Sequence, residues 1–433
     1  MMLIFVDEIS SRVVYTFDLL FKDRGVSYEL TNDPFTFEQS NQPKWVYALR
    51  PFEREYVTIN PSELLFEESV KKHRIEKSLW EGHEVISFQG VPDIIASVFY
   101  TVSLYDEYLI DNFDIHGRIA AKDKLVVRYG WHRTLIVERW INHLIDFLQQ
   151  QLDLTISVNK IPFSCTPTFD IDNTFAYLHK VGVRKWLSVA KDISKFDQSR
   201  LKERKEVTTH KQKDPYDTFD VILSLKETGF SPLVFWLLGD LTEYDRNLSY
   251  TNKHHIELIS KIAEHLKVGL HPSYKSNDVL GQLAIEKNRL ERIIKQKVTH
   301  SRQHFLRMQL PYTYAHLIKN GFEHDYTLGF FDEVGFRAGM VRPFNWFNLK
   351  ENCATSLQLH PFAYMDVSLR QYLKLSPEAA CDLIKTLLVE VHSYGGDFIS
   401  LWHNETIGDY GMWKGWKDVL MFTLNEARNV INE

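Results

Sequence analysis

Two aspartates, Asp170 and Asp172, stand two positions apart in the stretch TPTFDID at residues 166–172. Residues two apart in a β-strand point to the same face, so both carboxylates would meet at the end of an apolar strand. Such a pair can bind a metal ion or divide the work of acid and base. It can equally cap a following helix, because Asn173 and Thr174 are good cap residues. The pair alone leaves both interpretations open.

Other polar residues follow later strand-like segments of the chain. In parallel sheets, ligands bind beyond the carboxyl ends of the strands, so side chains at these ends would converge. A lone histidine there is more often a structural hydrogen-bonding residue. Several buried carboxylates and imidazoles in one crevice, however, favour a metal or acid–base site, because each is costly without a partner. The set comprises His271, Arg302, His304, His360, Asp366, His403 and Glu405.

Aspartate and histidine without cysteine are ligands that suit zinc or a similar divalent ion. Such an ion lowers the pKa of a water molecule and polarises a carbonyl group. A second carboxylate beside it would take a proton, and a histidine on the opposite side would protonate the leaving nitrogen or oxygen. Arg302 would orient the base carboxylate through a charge-assisted pair. This combination predicts hydrolysis of an amide or an ester.

The elements that must position these residues begin at about residue 160. From there strand-like and helix-like segments alternate, which predicts an α/β fold with a parallel sheet surrounded by helices, either open or closed as a barrel. The charge-dense stretch 191–214 indicates a solvated helix, with a lid over a site as the second interpretation. The predicted strands lie at 161–172, 231–239, 267–274, 298–306, 357–369 and 397–405, and the predicted helices at 252–266, 277–296, 313–322, 376–396 and 415–431.

Residues 1–155 (the N-terminal region) have a different pattern and predict a separate, smaller α/β or α+β domain. Residues 156–433 (the C-terminal region) form the second predicted domain. We find no constellation of possible ligands in the N-terminal region. Its strand-like segments lie at 2–8, 44–49 and 84–89, and its helix-like segments at 11–25, 93–109 and 133–152.

The composition limits the possible partners and compartments. A chain of 433 residues predicts two or three domains, and its formal charge of −6 gives no electrostatic basis for binding nucleic acid. No apolar run is long enough to span a bilayer, and the first residues lack the pattern of a signal peptide. Three widely spaced cysteines, Cys165, Cys353 and Cys381, indicate a reducing compartment. We therefore expect a cytoplasmic protein, and its oligomeric state is open.

Residues from about 160 to 433 resemble the polysaccharide deacetylase family, metal-dependent carbohydrate esterases and amide hydrolases with a NodB-like, distorted (β/α) barrel. TFDID resembles the first family motif and GLHPSY the second, while SRQHFLR takes the place of the third and ISLWHNE resembles the last. The N-terminal region resembles the accessory domain of a divergent bacterial branch of these proteins. The resemblance implies a hydrolase that uses a divalent ion, such as zinc, to remove an acyl group. The implied substrate is an N-acetylated sugar or glycan precursor, or another acylated small molecule.

The resemblance also implies roles for individual residues through their positions in these motifs. Asp170 would be the catalytic base, and Asp172 and His271 would be metal ligands. Arg302 would brace the base, and His403 would be the general acid.

Two positions depart from the usual motifs of the family. Ile171 separates the two aspartates, which are adjacent in the typical motif. Lys275 stands four residues after His271, where a second metal-binding histidine is typical. His304 or His360 is left to supply the third ligand, and we predict His304. Two other functions stay open: a non-catalytic protein that binds carbohydrate, and a hydrolase that cleaves non-peptide C–N bonds in small amides.

Overall fold

The computed structural model describes residues 1–180 and 198–432. Most segments whose periodicity predicts a strand or a helix form that element, with ends that differ by a few residues. The strands are β1 (Met2–Val6), β2 (Tyr28–Thr31), β3 (Lys44–Tyr47), β4 (Ile75–Trp80), β5 (His83–Phe88), β6 (Val91–Pro92), β7 (Phe163–Ile171), β8 (Leu233–Leu237), β9 (Lys267–His271), β10 (His300–Ser301), β11 (His324–Asp325), β12 (Phe344–Asn348), β13 (Cys353–Leu359), β14 (Tyr364–Met365) and β15 (Gly396–His403).

Helices occur in both regions, and none of those described is long and apolar enough to cross a bilayer. Asn252 and Ser376 cap two of them, because each side chain accepts a hydrogen bond from a backbone N–H of the first turn. Residues 191–197 of the charge-dense stretch lie outside the described residues. The helices are α1 (Ser11–Leu20), α2 (Pro34–Gln39), α3 (Ile94–Val102), α4 (Leu125–Arg128), α5 (Ile136–Leu152), α6 (Gln198–Thr208), α7 (Phe219–Glu227), α8 (Lys253–Ala263), α9 (Gln282–Ile294), α10 (Tyr312–Lys319), α11 (Pro377–Tyr394) and α12 (Trp416–Asn432).

A nine-stranded sheet dominates the C-terminal region, in the strand order β12-β13-β11-β10-β9-β8-β7-β15-β14. All neighbouring strands are parallel except β12 and β13, which form an antiparallel pair. In the described part of the chain, no strand pair joins β12 to β14, so hydrogen-bonded strands do not close the sheet into a barrel. The architecture is therefore a mixed α/β fold built on a large, mainly parallel sheet.

The large sheet is strongly curved. Thr168 lies in β7 and Arg302 follows β10, and β8 and β9 separate these two strands. Three steps between neighbouring strands would cover about 14 Å in a flat sheet, which is more than an arginine side chain can reach. Arg302 Nη1 nevertheless donates a hydrogen bond to Thr168 Oγ1 over 2.7 Å. The sheet must therefore bend around these side chains, which lie on its inner face.

An irregular segment, residues 360–363, connects the two sides of the curved sheet. Phe362 N donates to the Leu328 carbonyl beyond β11 over 3.0 Å, and Ala363 N donates to the Ile399 carbonyl in β15 over 2.8 Å. The interior of the sheet is thus bounded on this side by backbone that belongs to no strand.

The strand predicted at 298–306 is much shorter in the structure. β10 contains only His300–Ser301, because the chain turns soon afterwards. Phe305 and Leu306 have φ angles of 60° and 54°, which a β-strand cannot contain. The residues after β10 therefore lie on a turn rather than in a strand.

The N-terminal region contains two small sheets, a parallel one in the order β2-β1-β3 and an antiparallel one in the order β4-β5-β6. Its hydrophobic core is continuous with that of the C-terminal region. The rings of Tyr15 and Phe99 lie 5.0 and 5.1 Å from the ring of Phe347 in β12. Gly335 approaches His132 so closely that a Cβ atom would lie 2.1 Å from the His132 carbonyl oxygen. The two regions therefore pack as one interior.

A buried ion cluster also connects the two regions. Glu107 Oε1 accepts hydrogen bonds from Lys124 Nζ at 2.7 Å and from Arg337 Nε at 2.8 Å. The side chains of Glu107 and Lys124 are 3% exposed and that of Arg337 is 8% exposed. Burial alone would raise the pKa of Glu107, but Arg337 and Lys124 outweigh burial and lower it to about 2. One carboxylate thus compensates two buried cations.

Replacing Glu107 with alanine is expected to lower the free energy of unfolding by about 3–5 kcal/mol, because two buried cations lose their shared partner. Denaturant unfolding measures this loss.

The depressed pKa of Glu107 also predicts a pH dependence of the free energy of unfolding. The contribution of Glu107 is present above the pKa of an unfolded glutamate, about 4.3, and is lost as the pH falls towards about 2. The Glu107→Gln variant should lack this part of the acid sensitivity.

Glu333→Ala is the matched control for this experiment. Glu333 pairs with Arg133 across the same two regions at 2.9 Å, but the Arg133 side chain is 45% exposed. Its loss should change the free energy of unfolding by no more than about 1 kcal/mol. Equal losses in the two variants would contradict the structural importance of the buried cluster.

Candidate metal centre and acid–base pairs

Four strands bring the candidate residues to one edge of the large sheet. Asp170 and Asp172 lie at the end of β7, and His271 and His403 are the last residues of β9 and β15. Parallel pairing sets Asp170 opposite His403, so these strands end at the same level. Arg302 directly follows β10 and extends over the same inner face of the sheet.

Asp172, His271 and His304 form a group that could hold a metal ion, and their ligand atoms all lie within 4.8 Å of one another. Asp172 Oδ1 lies 3.2 Å from His271 Nε2, and Asp172 Oδ2 lies 3.5 Å from His304 Nε2. The two imidazoles are buried, whereas the Asp172 side chain is 21% exposed. The group is thus accessible from the side on which Asp172 lies.

Hydrogen bonds orient both imidazoles with Nε2 towards Asp172. His271 Nδ1 lies 2.6 Å from the Arg302 carbonyl, and His304 Nδ1 lies 3.0 Å from Asp245 Oδ1. These partners can only accept, so Nδ1 of each ring is the donor. Asp172 Oδ1 is buried and makes no hydrogen bond, although it lies close to His271 Nε2. Two nitrogens and an unpaired oxygen directed at a common space fit a divalent cation.

The charges in this group stabilise one another. Burial would raise the pKa of Asp172, but His304 and His271 outweigh burial and hold it well below its usual value. Burial would lower the pKa of His304, but Asp172 and Asp245 raise it to about 9. In each case attraction between opposite charges exceeds the cost of removing them from water.

His304 stands on an unfavourable turn. Phe305 and Leu306, the next two residues, have left-handed backbone conformations, with φ angles of 60° and 54°. Such a conformation costs a residue other than glycine about 1–2 kcal/mol. Contacts around the turn must therefore stabilise it.

Asp170 is oriented by Arg302. Arg302 Nη1 donates to Asp170 Oδ1 over 3.0 Å and to Thr168 Oγ1 over 2.7 Å, and its Nε donates to the Tyr326 carbonyl over 2.9 Å. Asp170 Oδ2 then lies 3.7 Å from His271 Nε2. The second oxygen of the carboxylate is thus held beside the candidate metal group of Asp172, His271 and His304.

His403 forms a pair with Asp366 on the other side of the group. His403 Nδ1 lies 2.9 Å from Asp366 Oδ1, and Asp366 Oδ2 accepts from the His403 backbone N–H over 2.7 Å. His403 Nε2 lies 3.7 Å from Asp172 Oδ2. Burial would lower the pKa of His403, but Asp366 outweighs burial and raises it to about 10. The pair with Asp366 therefore favours the protonated, imidazolium form of His403.

Sequence reasoning missed Asp245 and gave no role to Asp366 or Glu405. Asp245 lies in the loop between β8 and α8, where no periodicity marks it. Besides His304, it binds the Tyr274 backbone N–H over 2.7 Å. Burial raises the pKa of Glu405 to about 7, although the neighbouring His403 opposes this rise. For Glu405 the available sequence signal was its position two residues after His403, and for Asp366 it was its position in the strand predicted at 357–369.

His360 and Lys275 lie away from the candidate metal group. The His360 ring stacks on Tyr326 at 4.3 Å, and its Nε2 lies 3.0 Å from His324 Nδ1. Burial lowers the pKa of His360 to about 3, assisted by His324. Lys275 is exposed in a 3₁₀ turn. Of the two histidines considered for the third ligand, His304 is the one that lies beside Asp172.

Residues 2–153 match the sequence model of a family of unknown function (DUF7033). No curated protein sequence matches the chain. One similar solved structure is described as a polysaccharide deacetylase from Mycobacterium smegmatis, with 16% identity and a TM-score of 0.39 over 63% of this chain and 95% of that chain. A polysaccharide deacetylase from Bacillus cereus has 12% identity and a TM-score of 0.31 over 63% and 88% of the two chains. The PuuE allantoinase has 10% identity and a TM-score of 0.36 over 62% and 89%.

Replacing His304 with alanine is expected to weaken the binding of Zn²⁺ or Co²⁺ by more than the roughly 10–100-fold loss typical of an outer-shell change, because a candidate direct ligand would be removed. Competition with a chromogenic chelator measures the dissociation constant. His360→Ala is the matched control, since His360 belongs to a separate histidine cluster. A large loss in His360→Ala with none in His304→Ala would show that the third ligand was assigned wrongly.

Proposed function

We propose that this protein is a metal-dependent hydrolase that removes an acyl group, in particular N-acetyl, from a sugar or glycan precursor. The observation that carries the proposal is the convergence of Asp172, His271 and His304 between two oriented groups, Asp170 and His403. The order of the sequence motifs along residues 160–433 supports the same class of reaction.

Asp172, His271 and His304 would hold the divalent ion. Zinc is the proposed ion, because two imidazoles and one carboxylate are a common set of zinc ligands in hydrolases. When bound, the ion supplies polarisation of the substrate carbonyl and acidity for a water molecule. The unpaired Oδ1 of Asp172 supports this assignment, since a buried carboxylate oxygen otherwise requires a hydrogen-bond donor.

Asp170 is the proposed general base. Arg302 occupies Oδ1 and leaves Oδ2 beside the metal ligands, where it can accept a proton from the attacking water. The remaining hydrogen bonds of Arg302, to Thr168 and to the Tyr326 carbonyl, prevent the guanidinium from moving away. The carboxylate is therefore held in place before substrate binds.

His403 is the proposed general acid. Its Nδ1 is committed to Asp366, so the proton available for transfer is the one on Nε2, which faces Asp172. Thr406 Oγ1 also donates to Asp366, over 2.5 Å, and fixes the carboxylate that orients the imidazole. A protonated Nε2 at this point can donate to the leaving nitrogen as the acyl bond breaks.

Partly exposed aromatic side chains near the site support a carbohydrate substrate. Tyr244 and Tyr274 stack with 4.2 Å between their ring centroids. Both lie directly beside Asp245, the carboxylate partner of His304. Tyr244 covers one face of the Tyr274 ring, and the Arg307 guanidinium lies 3.9 Å from the centre of the same ring. Tyr244 is therefore the ring proposed to contact the apolar face of a sugar beside the metal centre.

Non-catalytic carbohydrate binding is the second candidate function. It is favoured by Lys275, which stands where the resemblance expects a metal-binding histidine. Hydrolysis of a non-peptide C–N bond in a small amide would use the same groups as deacetylation, and it is tested by including cyclic amides among the substrates.

Asp170→Asn is expected to retain one equivalent of metal but to release acetate from N-acetylated sugars at least about 100-fold more slowly, because a general base typically contributes 10²–10⁴-fold. Elemental analysis and an acetate assay on the same preparation measure both properties.

Asp397→Asn is the matched control, because Asp397 is a half-buried carboxylate at the opposite end of the same sheet, where it accepts hydrogen bonds from Ser164 and Thr166. It should keep both metal and activity. Equal acetate release by the wild type and Asp170→Asn would remove Asp170 from the base role. A wild type that binds metal and sugar without turnover of any amide would favour the binding function.

A further inference from the structure

The third member of the proposed metal group stands on the least favourable backbone of the site. His304 precedes two consecutive left-handed residues, Phe305 and Leu306, at φ angles of 60° and 54°. Lys275 occupies the position of the expected histidine, so the ligand set depends on His304. Any contact that stabilises this turn therefore bears on metal binding.

A loop of the N-terminal region, residues 114–118 (the positioning loop), binds the turn in two directions. Arg118 Nη1 donates to the Phe305 carbonyl over 3.2 Å. Arg307 Nε, on the far side of the turn, donates to the His116 carbonyl over 2.9 Å. The ring of His116 also packs against Phe305, with 4.9 Å between the ring centroids. These reciprocal contacts fix the turn against the loop.

Arg118 is itself held in place. Its Nε donates to Asp114 Oδ2 over 2.9 Å, and its Nη2 donates to the Tyr372 hydroxyl over 3.3 Å. The guanidinium lies 3.7 Å from the centre of the Phe331 ring. Asp114 Oδ1 also accepts from the backbone N–H groups of His116 and Arg118, at 2.9 and 2.8 Å. The Phe305 carbonyl thus meets a donor whose position is already fixed.

A second connection runs through the carboxylate partner of His304. His116 Nδ1 lies 3.1 Å from the Tyr274 hydroxyl, and the Tyr274 backbone N–H donates to Asp245 Oδ1 over 2.7 Å. The same oxygen lies 3.0 Å from His304 Nδ1. The positioning loop therefore contacts the turn that follows His304 and the residue next to the carboxylate that orients it.

We propose that the positioning loop of the N-terminal region holds the turn at residues 304–306 in its metal-binding conformation, with Arg118 as the positioning residue. This inference rests on the metal site proposed above. Arg118 acts through the Phe305 carbonyl and not as a ligand. The N-terminal region, which carries no ligand constellation of its own, thereby takes part in building the metal centre.

The test is a double-mutant cycle on the full chain, measured as the dissociation constant of Zn²⁺ or Co²⁺. Arg118→Ala is expected to weaken metal binding by about 10–100-fold, as loss of an outer-shell partner does. In the His304→Ala background, the same change should alter the affinity by less than about twofold, because its target is gone. Wild-type affinity in Arg118→Ala, or equal losses in both backgrounds, would overturn the proposal.

Two further variants make the result specific. Arg133→Ala removes another contact between the two regions, the pair with Glu333, and should keep wild-type metal affinity. A loss as large as that of Arg118→Ala would refute a specific role for the positioning loop. Arg118→Lys keeps the charge without the forked donor, and should weaken metal binding by an intermediate factor. If Arg118→Ala fails to fold, Arg118→Lys replaces it in the double-mutant cycle.

A readout without metal separates this proposal from the proposed function. If the wild type binds no divalent ion, the metal site fails, and the loop is then tested by ¹H–¹⁵N NMR of the histidine side chains. Signals are assigned with His304→Ala and His271→Ala. Arg118→Ala should shift or broaden the His304 signal and leave the His271 signal unchanged. An unchanged His304 signal would refute the positioning role whether or not metal binds.

Discussion

The candidate site depends on one constraint: Asp172 lies between two imidazoles that cannot turn away from it. His271 and His304 each use Nδ1 in a hydrogen bond, to the Arg302 carbonyl and to Asp245. Both Nε2 atoms must therefore face the Asp172 carboxylate. Such a buried group is unfavourable unless a cation or additional protons lie among its atoms. The surrounding charged pairs follow from this requirement, because each one orients or compensates a member of the group.

An apolar layer inside the curved sheet separates this polar site from a second polar layer at the other end of the strands. Strand alternation puts Lys267, Gly269 and His271 on the same face of β9. At the end of β9 opposite His271, Lys267 Nζ lies 3.2 Å from His300 Nε2. At Gly269, a Cβ atom would lie 2.6 Å from the ring of Phe235, so only glycine lets that ring fill the middle layer. The apolar layer has a lower dielectric constant than water, so the charges of the candidate site are screened less on this side. It contains Leu233, Phe235, Leu306, Tyr326, Phe331, Phe362, Met365, Ile399 and Leu401.

Sequence periodicity predicts the alternating strands and helices because local hydrophobic spacing reflects which face of each element is buried. It also predicts that Asp170 and Asp172 share a face. It does not separate His304 from His360, because both lie within predicted strand segments, 298–306 and 357–369. The difference arises from non-local structure: one histidine lies beside a turn held by another region, and the other joins a stack with Tyr326. Asp245 has no local signal, since it lies in a loop and acts through hydrogen bonds to residues distant in the sequence, His304 and Tyr274.

A search for ligand motifs assigns the N-terminal region no role in the candidate site, because such a search considers only residues that could bind a metal themselves. A residue that supports a metal ligand needs no ligand chemistry of its own; it needs a donor aimed at the correct carbonyl. Arg118 supplies such a donor to Phe305 from 187 positions away in the chain. The continuous hydrophobic core and the Glu107 cluster fix the two regions relative to each other, which such a contact requires. The geometry of the site is therefore a property of both regions, although every proposed ligand belongs to one of them.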